Sequence, residues 1–163
     1  AIHPNNRKRV IRALEFYQET GRKISEHNAK EQMRTSPYNF AYFVLNDERS
    51  HLYKRIDARV DKLIEDGLEA EVRRLKEMGC TKDMVAMQGI GYKEMLSYLD
   101  GSYSLEEAVY IIKRETRHFA KRQITWFKRE RDVIWLNKNE FDYKNEAILA
   151  YMIKILKEKA IIS

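Results

Sequence analysis

Apolar residues recur at intervals of three and four along most of the chain, the spacing that places them on one face of an α-helix. Short apolar runs rich in β-branched and aromatic residues interrupt this pattern twice. The pattern predicts helices over residues 7–20, 48–66, 68–78, 92–99, 105–128 and 143–159. The interruptions at residues 39–46 and 132–137 predict two short strands, so the fold class is mainly α.

The ends of the predicted helices carry residues that favour capping or termination. Gly21 and Gly79 follow two of the helices, and glycine is the usual residue after a helix C-terminus. Ser104 and Glu107 have the spacing of a capping box, in which each side chain accepts a hydrogen bond from the other residue's backbone N–H. Asp47 and Asp142 are expected to cap two further helices. The expected inner faces consist of Leu52, Ile56, Val60, Leu63 and Ile64, and of Ala147, Ile148, Met152 and Ile155.

One long segment between the predicted helices and strands shows no regular spacing of apolar residues. Residues 22–37 are mostly polar and without period, which predicts a loop with at most one helical turn.

Two strands separated by long helices cannot make a sheet of useful size by themselves. Because helical connections favour parallel neighbours, the simplest interpretation is that both strands join a parallel sheet whose other strands lie outside this chain.

Composition narrows the class of protein. The 163 residues are 44% hydrophobic, enough for a packed core, and contain only 6 glycines and 2 prolines, which disfavours an all-β fold. The single cysteine, Cys80, excludes an intramolecular disulfide framework and a cysteine-clustered zinc site. No signal peptide and no apolar run of about 18 residues is present, so we expect a cytoplasmic protein. Because the chain starts at Ala1 without methionine, we expect a piece of a longer protein.

The net charge of +6 makes a polyanionic partner plausible. Residues 113–131 hold eight basic and two acidic residues, and Trp126 and Phe127 interrupt them. Helical spacing predicts one stripe consisting of Arg114, Arg117, Lys121, Thr125 and Lys128, which suits a phosphate backbone. The alternative is a solvated basic face on a surface helix.

A second group of cations occupies the start of the first helix, where Arg7, Lys8, Arg9 and Arg12 stand. Basic residues there oppose the helix macrodipole, so their placement also suggests an anionic partner. The alternative is that core packing overrides this small electrostatic cost.

Two further segments carry candidate chemistry. Arg55 and Arg59 stand four residues apart, and guanidinium groups suit a pyrophosphate. Their spacing alone favours an exposed salt-bridge ladder with Asp57 and Asp61. The two glycines of residues 88–93 precede a helix and permit close approach by a base or a phosphate, although an ordinary turn has the same composition.

The sequence offers no other chemistry. It has no GxxxxGK[ST] phosphate loop, and its four histidines show no metal-ligand spacing. Cys80 is interpreted as a structural thiol, and no residue is a convincing general base.

Four ordered segments resemble one family: HPNNRKRVIRALE, RIDARVDKLIEDGLEAEV, QGIGYKEM and TRHFAKRQITWF. Together they resemble the C-terminal half of the tRNA dimethylallyltransferase (tRNA isopentenyltransferase) family. This resemblance implies transfer of a dimethylallyl group from dimethylallyl diphosphate to N6 of the adenosine 3′ of the anticodon, adenosine-37. Residues 1–38 would end the helical insertion that grips the anticodon loop, and residues 39–163 would complete the core.

The same resemblance implies a nucleotide-binding, ATP-binding type of fold derived from P-loop kinases. Its N-terminal half, which is absent here, would carry the P-loop, the Mg²⁺ bound with the diphosphate and the aspartate that accepts the N6 proton. This chain alone would then be inactive. Its partners would be the tRNA anticodon stem-loop and that missing half, and the complete protein is expected to be a monomer. A free-standing RNA-binding module without catalysis, or an adaptor domain with an incidental basic surface, are the alternatives.

Residue by residue, the resemblance assigns Arg59 to pyrophosphate stabilisation and three segments to tRNA contacts. Asn6 and Arg7 depart from the family's usual residues, which affects the expected cap of the first helix. The tRNA-binding residues that it implies are Lys8, Arg9 and Arg12; Gln88, Gly89, Ile90, Gly91, Tyr92 and Lys93; and Lys121, Arg122, Gln123, Thr125, Trp126 and Lys128.

Overall fold

The computed structural model describes residues 3–163, except for the side chain of Gln32. Ala1 and Ile2, which the predicted insertion segment includes, lie outside the described residues. The chain divides into two compact units with the boundary between Asn39 and Phe40. No helix in the described part of the chain combines the length and apolar character needed to cross a bilayer.

The first unit contains two helices, α1 (Arg7–Thr20) and α2 (Ile24–Met33). The prediction for α1 is confirmed at both ends. Asn6 is its N-cap, because the Asn6 side chain accepts a hydrogen bond of 3.3 Å from the Arg9 N–H. Gly21 ends the helix in the left-handed conformation with φ 66°, which glycine adopts without steric cost.

Helix α2 corrects the prediction of a loop over residues 22–37. Its only half-buried residue with a large apolar side chain is Ile24, so the segment has no apolar period to detect. Glu26 in the first turn and Lys30 in the last turn complement the helix dipole. The rings of Phe16 and His27 lie 5.0 Å apart and connect the two helices. Charge placement and this contact stabilise a helix that hydrophobic spacing does not predict.

The second unit contains the sheet, which consists of β1 (Tyr42–Asn46) and β2 (Val133–Asn137). The strands pair directly with each other, parallel, with Val44 opposite Trp135 and Asn46 opposite Asn137. Both strands are shorter than predicted, β1 by three residues at its start. Both strands thus belong to one parallel sheet, as predicted, and their pairing with each other is a detail that the sequence did not indicate.

The connection between the strands is a long helical crossover, as parallel pairing requires. A turn of 3₁₀ helix, Val85–Gln88, interrupts it, and a second one, Lys138–Phe141, leads from β2 to the last helix. The helices are α3 (Arg49–Glu65), α4 (Leu68–Glu77), α5 (Tyr92–Leu99), α6 (Leu105–Phe127) and, after β2, α7 (Asn145–Glu158).

The main hydrophobic core lies among α3, α4, α5 and α6, away from the strands. Apolar side chains from all four helices and from the first 3₁₀ turn meet there, and each is almost fully withdrawn from solvent. The core residues are Val60, Leu68, Val72, Met87, Met95, Leu96, Ala108 and Ile112. In the sheet, Val44 and Leu136 are buried separately. The strands are therefore attached to a helical bundle with its own core.

Two predicted caps are wrong. The residue at the N-cap of α3 is Glu48, and the Asp47 carboxylate instead accepts a 2.8 Å hydrogen bond from the Glu48 N–H, one residue before the helix. The residue at the N-cap of α7 is Lys144, and Asp142 lies two residues earlier with φ 50°. In both cases the aspartate shapes the turn that leads into the helix rather than its first N–H groups.

The predicted inner faces are also wrong at two residues. Leu63 is 41% exposed and Ala147 is exposed, whereas Ile56, Val60 and Ile148 are buried as predicted. Leu63 lies near the end of α3, where only the Val60 and Ile64 side of the helix packs against the core. The helical period identifies the correct stripe, but the width of its buried part depends on the neighbouring helices.

The capping box of α6 provides a test of local stability. The Ser104 Oγ accepts a hydrogen bond of 3.2 Å from the Glu107 N–H, and the Glu107 Oε2 accepts one of 2.9 Å from the Ser104 N–H. We expect Ser104→Ala to lower the free energy of unfolding by about 1 kcal/mol, since it leaves the Glu107 N–H without its partner. Urea denaturation measures the loss. The control is Ser102→Ala, whose side chain makes no hydrogen bond within residues 3–163; equal losses would contradict the capping role.

Candidate nucleic-acid interface

Helices α3 and α6 run antiparallel and are joined by two ion pairs, and we call this contact the α3–α6 seam. The Arg117 Nη1 donates to both carboxylate oxygens of Asp57, at 2.9 and 2.8 Å. The Lys113 Nζ lies 2.6 Å from the Asp61 Oδ1. Both basic side chains are largely withdrawn from solvent. The seam therefore fixes the register of the two helices through charge-assisted hydrogen bonds.

This arrangement overturns the predicted salt-bridge ladder of α3. Asp57 and Asp61 face α6, so they are not the partners of the two arginines on their own helix. The Arg55 Nη1 lies 4.0 Å from the Asp47 Oδ2, and Arg59 is exposed and makes no ion pair within the described residues. Arg59 thus presents an uncompensated guanidinium group to solvent.

The predicted basic stripe of α6 divides in the structure. Arg117 turns inward to Asp57, and the Arg114 guanidinium bonds to Glu115 at 3.0 Å, which lowers the pKa of the Glu115 carboxyl. Lys121, Thr125 and Lys128 remain together and line one cavity of about 260 Å³ beside α3. The stripe therefore contributes two open cations rather than four, because the cations of its first half are neutralised by acids.

The other predicted tRNA-binding residues of this helix point in two further directions. Trp126 is 54% exposed, and the Arg122 guanidinium lies 5.8 Å from the centroid of the Phe119 ring. Gln123 lines a separate cavity of about 320 Å³ together with Arg55 and Lys138. This cavity adjoins the carboxyl ends of the two strands, the edge at which open parallel sheets bind ligands.

Asp47 lies at that same edge, and its side chain is only 6% exposed. The sequence indicated only a helix cap at this position. The Asp47 carboxylate lies 3.7 Å from the His51 Nδ1, which in turn forms a 2.7 Å hydrogen bond with the Tyr143 hydroxyl. Partial desolvation and the nearby Asp47 carboxylate raise the pKa of Tyr143. These contacts tie the turn before α7 to the first turn of α3.

The glycine segment of residues 88–93 is held firmly at its centre. The Gly91 N–H donates a 2.8 Å hydrogen bond to the Glu94 Oε2, and Gly91 has φ 101°, a conformation available to glycine. Glu94 is a carboxylate with only 2% exposure. Gln88, Gly89 and Ile90 are exposed. The exposed residues therefore lie directly before a backbone conformation that the Gly91–Glu94 hydrogen bond holds in place.

Glu94 was not among the predicted site residues, although the sequence carries a signal for it. Gly91 and Glu94 have the same three-residue spacing as the capping box of α6, and the Glu94 carboxylate reaches back to the N-cap N–H in the same way. Its second oxygen is buried without a hydrogen bond in the described residues, with the Lys93 Nζ 3.4 Å away. Lys93 itself is half exposed.

The predicted tRNA contact at Tyr92 is constrained by the fold. Its hydroxyl donates a 2.6 Å hydrogen bond to the Glu71 Oε1, and this bond, with burial, raises the pKa of Tyr92. The ring is half-buried against the helical core. The hydroxyl is therefore already engaged, which leaves the ring as the part of Tyr92 that remains for stacking.

In the first unit, Lys8, Arg9 and Arg12 are exposed on α1, whose first turn holds no acidic residue. Arg9 and Arg12 line a groove between α1 and α2, with Lys23 on its other side. The cations predicted at this helix N-terminus are thus open to solvent, as an interaction with an anion requires.

No metal centre is formed by residues 3–163, because no three histidine, cysteine, aspartate or glutamate side chains there come together as ligands. Cys80 is half-buried against the helical core, where it packs as an apolar side chain.

Comparison with known proteins gives a consistent result. A model of the IPP transferase family matches residues 1–130. A tRNA dimethylallyltransferase from Lachnoclostridium phytofermentans is 59% identical over 163 residues, which cover 99% of this chain and 51% of that protein. The chain thus spans about half the length of this relative.

Two solved structures resemble the fold. The full-length tRNA isopentenylpyrophosphate transferase from Bacillus halodurans superposes with a TM-score of 0.70 at 43% identity, covering 98% of this chain and 48% of that one. The tRNA delta(2)-isopentenylpyrophosphate transferase from Staphylococcus epidermidis gives a TM-score of 0.71 at 39% identity, covering 96% of this chain and 50% of that one.

The ion pair of Asp57 with Arg117 predicts a measurable coupling between α3 and α6. In a double-mutant cycle of Asp57→Ala and Arg117→Ala, we expect an interaction of about 1 kcal/mol in the free energy of unfolding. One guanidinium nitrogen donates to both carboxylate oxygens, and both side chains are largely shielded from solvent. Urea denaturation of the four proteins measures it. The exposed pair of Lys62 with Asp66, 3.1 Å apart at the C-terminal end of α3, is the control and should couple less. Additive effects at Asp57 and Arg117 would contradict the seam.

Proposed function

Since the chain belongs to the IPP transferase family, we propose that it forms the tRNA-binding part of a tRNA dimethylallyltransferase. The observation that carries this proposal is the 59% identity over nearly the whole chain with a tRNA dimethylallyltransferase. The open cations of α1 and α6 support it, because a polyanion is the partner that such surfaces bind. A protein of this kind acts in the cytoplasm.

The reaction that we propose forms a bond between N6 of adenosine-37 and the first carbon of the dimethylallyl group. The carbon–oxygen bond to the diphosphate breaks, and pyrophosphate leaves with the electron pair. The N6 proton passes to the aspartate that the family resemblance places in the half absent from this chain. Negative charge develops on the leaving group, so a positive charge fixed beside it lowers the barrier. Arg59 fits this role, since its guanidinium is exposed and has no acidic partner in residues 3–163.

The target adenine must leave its stack before N6 can react. Extruding a base costs a few kcal/mol, and less in a single-stranded loop, which agrees with an anticodon loop as substrate. The segment from Gln88 to Lys93 supports this step, because it presents accessible backbone at Gly89 on a rigid base. We assign this segment to the region that receives the extruded nucleotide.

Contacts with the RNA backbone offset the cost of extrusion. In the first unit they would come from α1, and in the second unit from the end of α6, where Trp126 is exposed for stacking on a base. The residues that we assign to these contacts are Lys8, Arg9, Arg12, Lys121, Arg122, Gln123, Thr125, Trp126 and Lys128.

The proposed activity also needs parts that these residues do not supply. We infer that further strands and the P-loop, with its bound diphosphate and Mg²⁺, come from residues outside this chain. Among the described residues the sheet has two strands, so each strand keeps one edge without a strand neighbour, which supports further strands beside them. When bound, Mg²⁺ would help to neutralise the diphosphate, and no cluster of carboxylates among residues 3–163 fits it.

The basic end of α6 predicts a salt-dependent affinity. We expect Arg122→Ala and Lys121→Ala each to weaken binding of an anticodon stem-loop and to reduce the slope of log K against log salt by about 0.7–0.9, because each removes one phosphate neutralisation. Fluorescence anisotropy across a salt series measures both quantities. Lys62→Ala, on the far half of α3, serves as the control. A slope that stays the same in both variants would argue against α6 as the contact.

The role of Arg59 predicts a separation between catalysis and binding. In the full-length protein, we expect Arg59→Ala to slow dimethylallyl transfer by roughly 100-fold, since it removes one stabilising group from the transition state. Its affinity for tRNA should change less than twofold.

Single-turnover transfer to the stem-loop gives the rate, and anisotropy gives the affinity. Arg59→Lys should recover part of the rate because it restores the charge without the bidentate geometry. Equal losses of rate and affinity would remove Arg59 from the diphosphate site and favour a simple RNA-binding role.

A further inference from the structure

Facing residues of the α3–α6 seam repeat every four positions, and acids of α3 pair with cations of α6 along only part of it. Asp61 of α3 pairs with Lys113 of α6. Asp57, four residues earlier in α3, pairs with Arg117, four residues later in α6. The same step then brings Tyr53 and Lys121 to one cavity, and a further step brings Arg49 and Thr125 to it. Along the seam, the α3 residue that faces α6 thus changes from aspartate to tyrosine and then to arginine.

The cavity at this end of the seam is consequently rich in positive charge. Arg49, Lys121 and Lys128 all line it, and none of the three makes an ion pair within the described residues. Asp47 is the one acidic residue in its lining, and its carboxylate is nearly buried and already within 4.0 Å of Arg55 and of His51. The three cations therefore converge without an anion of the protein to balance them.

The position of Arg49 in its helix adds to this imbalance. Arg49 is the first residue of α3, and the first turn holds no acidic residue. A cation there opposes the helix macrodipole, although the N-cap residue Glu48 places an acidic side chain next to it in the sequence. Like charges placed in one cavity add a further cost. An anion bound in the cavity would relieve both.

We propose that Arg49, Lys121 and Lys128 form an oxyanion site that binds a phosphodiester group of the tRNA backbone. This inference rests on the proposed function and adds to it a residue, Arg49, that neither the motifs nor the basic run of α6 indicates. The charge comes from these three side chains, because the Thr125 hydroxyl donates to the Lys121 carbonyl at 2.9 Å and is not free to donate to a phosphate.

The location of the site favours RNA over the diphosphate of the prenyl donor. Arg59, the residue assigned to the diphosphate, does not line this cavity. All three cations are exposed side chains, the kind that contacts and positions a nucleic-acid backbone. The neighbouring Arg122 lies on the same helix and extends the positive surface beyond the cavity.

The experiment compares Arg49→Ala with Lys54→Ala in the full-length protein. Lys54 is an exposed cation of the same helix outside the cavity, so it matches the charge removed. Binding of an anticodon stem-loop is measured by anisotropy over a series of salt concentrations, and inorganic diphosphate is titrated separately by calorimetry. Circular dichroism melting checks that the exposed substitutions leave the fold intact.

We expect Arg49→Ala to weaken RNA binding about 5- to 10-fold and to lower the salt slope by about 0.7–0.9, whereas Lys54→Ala leaves the slope unchanged. Arg49→Lys should restore most of the slope because it restores the charge. Diphosphate binding should be the same in all variants.

Two results would overturn the inference while leaving the proposed function intact. One is that Arg49→Ala and Lys54→Ala behave alike towards RNA. The other is that Arg49→Ala loses diphosphate binding and keeps its RNA affinity, which would make the cavity part of the donor site. If the unsubstituted protein did not bind the stem-loop, the proposed function would fail and this inference with it.

Discussion

The antiparallel seam between α3 and α6 is the contact on which the second unit depends. Helix α3 starts directly after β1, and α6 ends shortly before β2, so the register of the helices also sets how the strands meet. The ion pairs of Asp57 with Arg117 and of Asp61 with Lys113 fix that register in its middle. A two-stranded parallel sheet has little stability of its own, so the helices must hold it together.

The same seam divides the basic residues of α6 into those paired with acids of the protein and those exposed to solvent. Asp61 and Asp57 of α3 neutralise Lys113 and Arg117, and Glu115 of α6 itself neutralises Arg114. The cations nearer the end of α6 have no acidic partner within the described residues. This gradient places the uncompensated charge beside the carboxyl ends of the strands. The function that we propose uses that surplus, because RNA phosphates supply the anions that the protein lacks.

The glycine segment before α5 shows a second use of buried charge. A nearly inaccessible carboxylate is costly unless it is well bonded, and Glu94 makes one strong bond, to the Gly91 N–H, with its other oxygen unbonded in the described residues. The bond holds a backbone conformation that other residues adopt only with strain. Stability alone gives little reason to bury this group, whereas the role that we propose for the segment, receiving an extruded base, requires a fixed loop.

The sequence by itself determined the helices of the second unit, because an apolar period, a capping box at Ser104 and glycines at helix ends are local signals. It also identified the basic character of α1 and α6 and the segment around Gly91. It did not reveal α2, whose stability comes from charge placement rather than from an apolar stripe. Only the tertiary structure decided that the strands pair with each other, that Asp57 and Asp61 face α6, and that Arg49 joins Lys121 and Lys128. The reason is physical: periodicity fixes which side of a helix a residue occupies, but the partner it meets depends on which helix packs there and in what register.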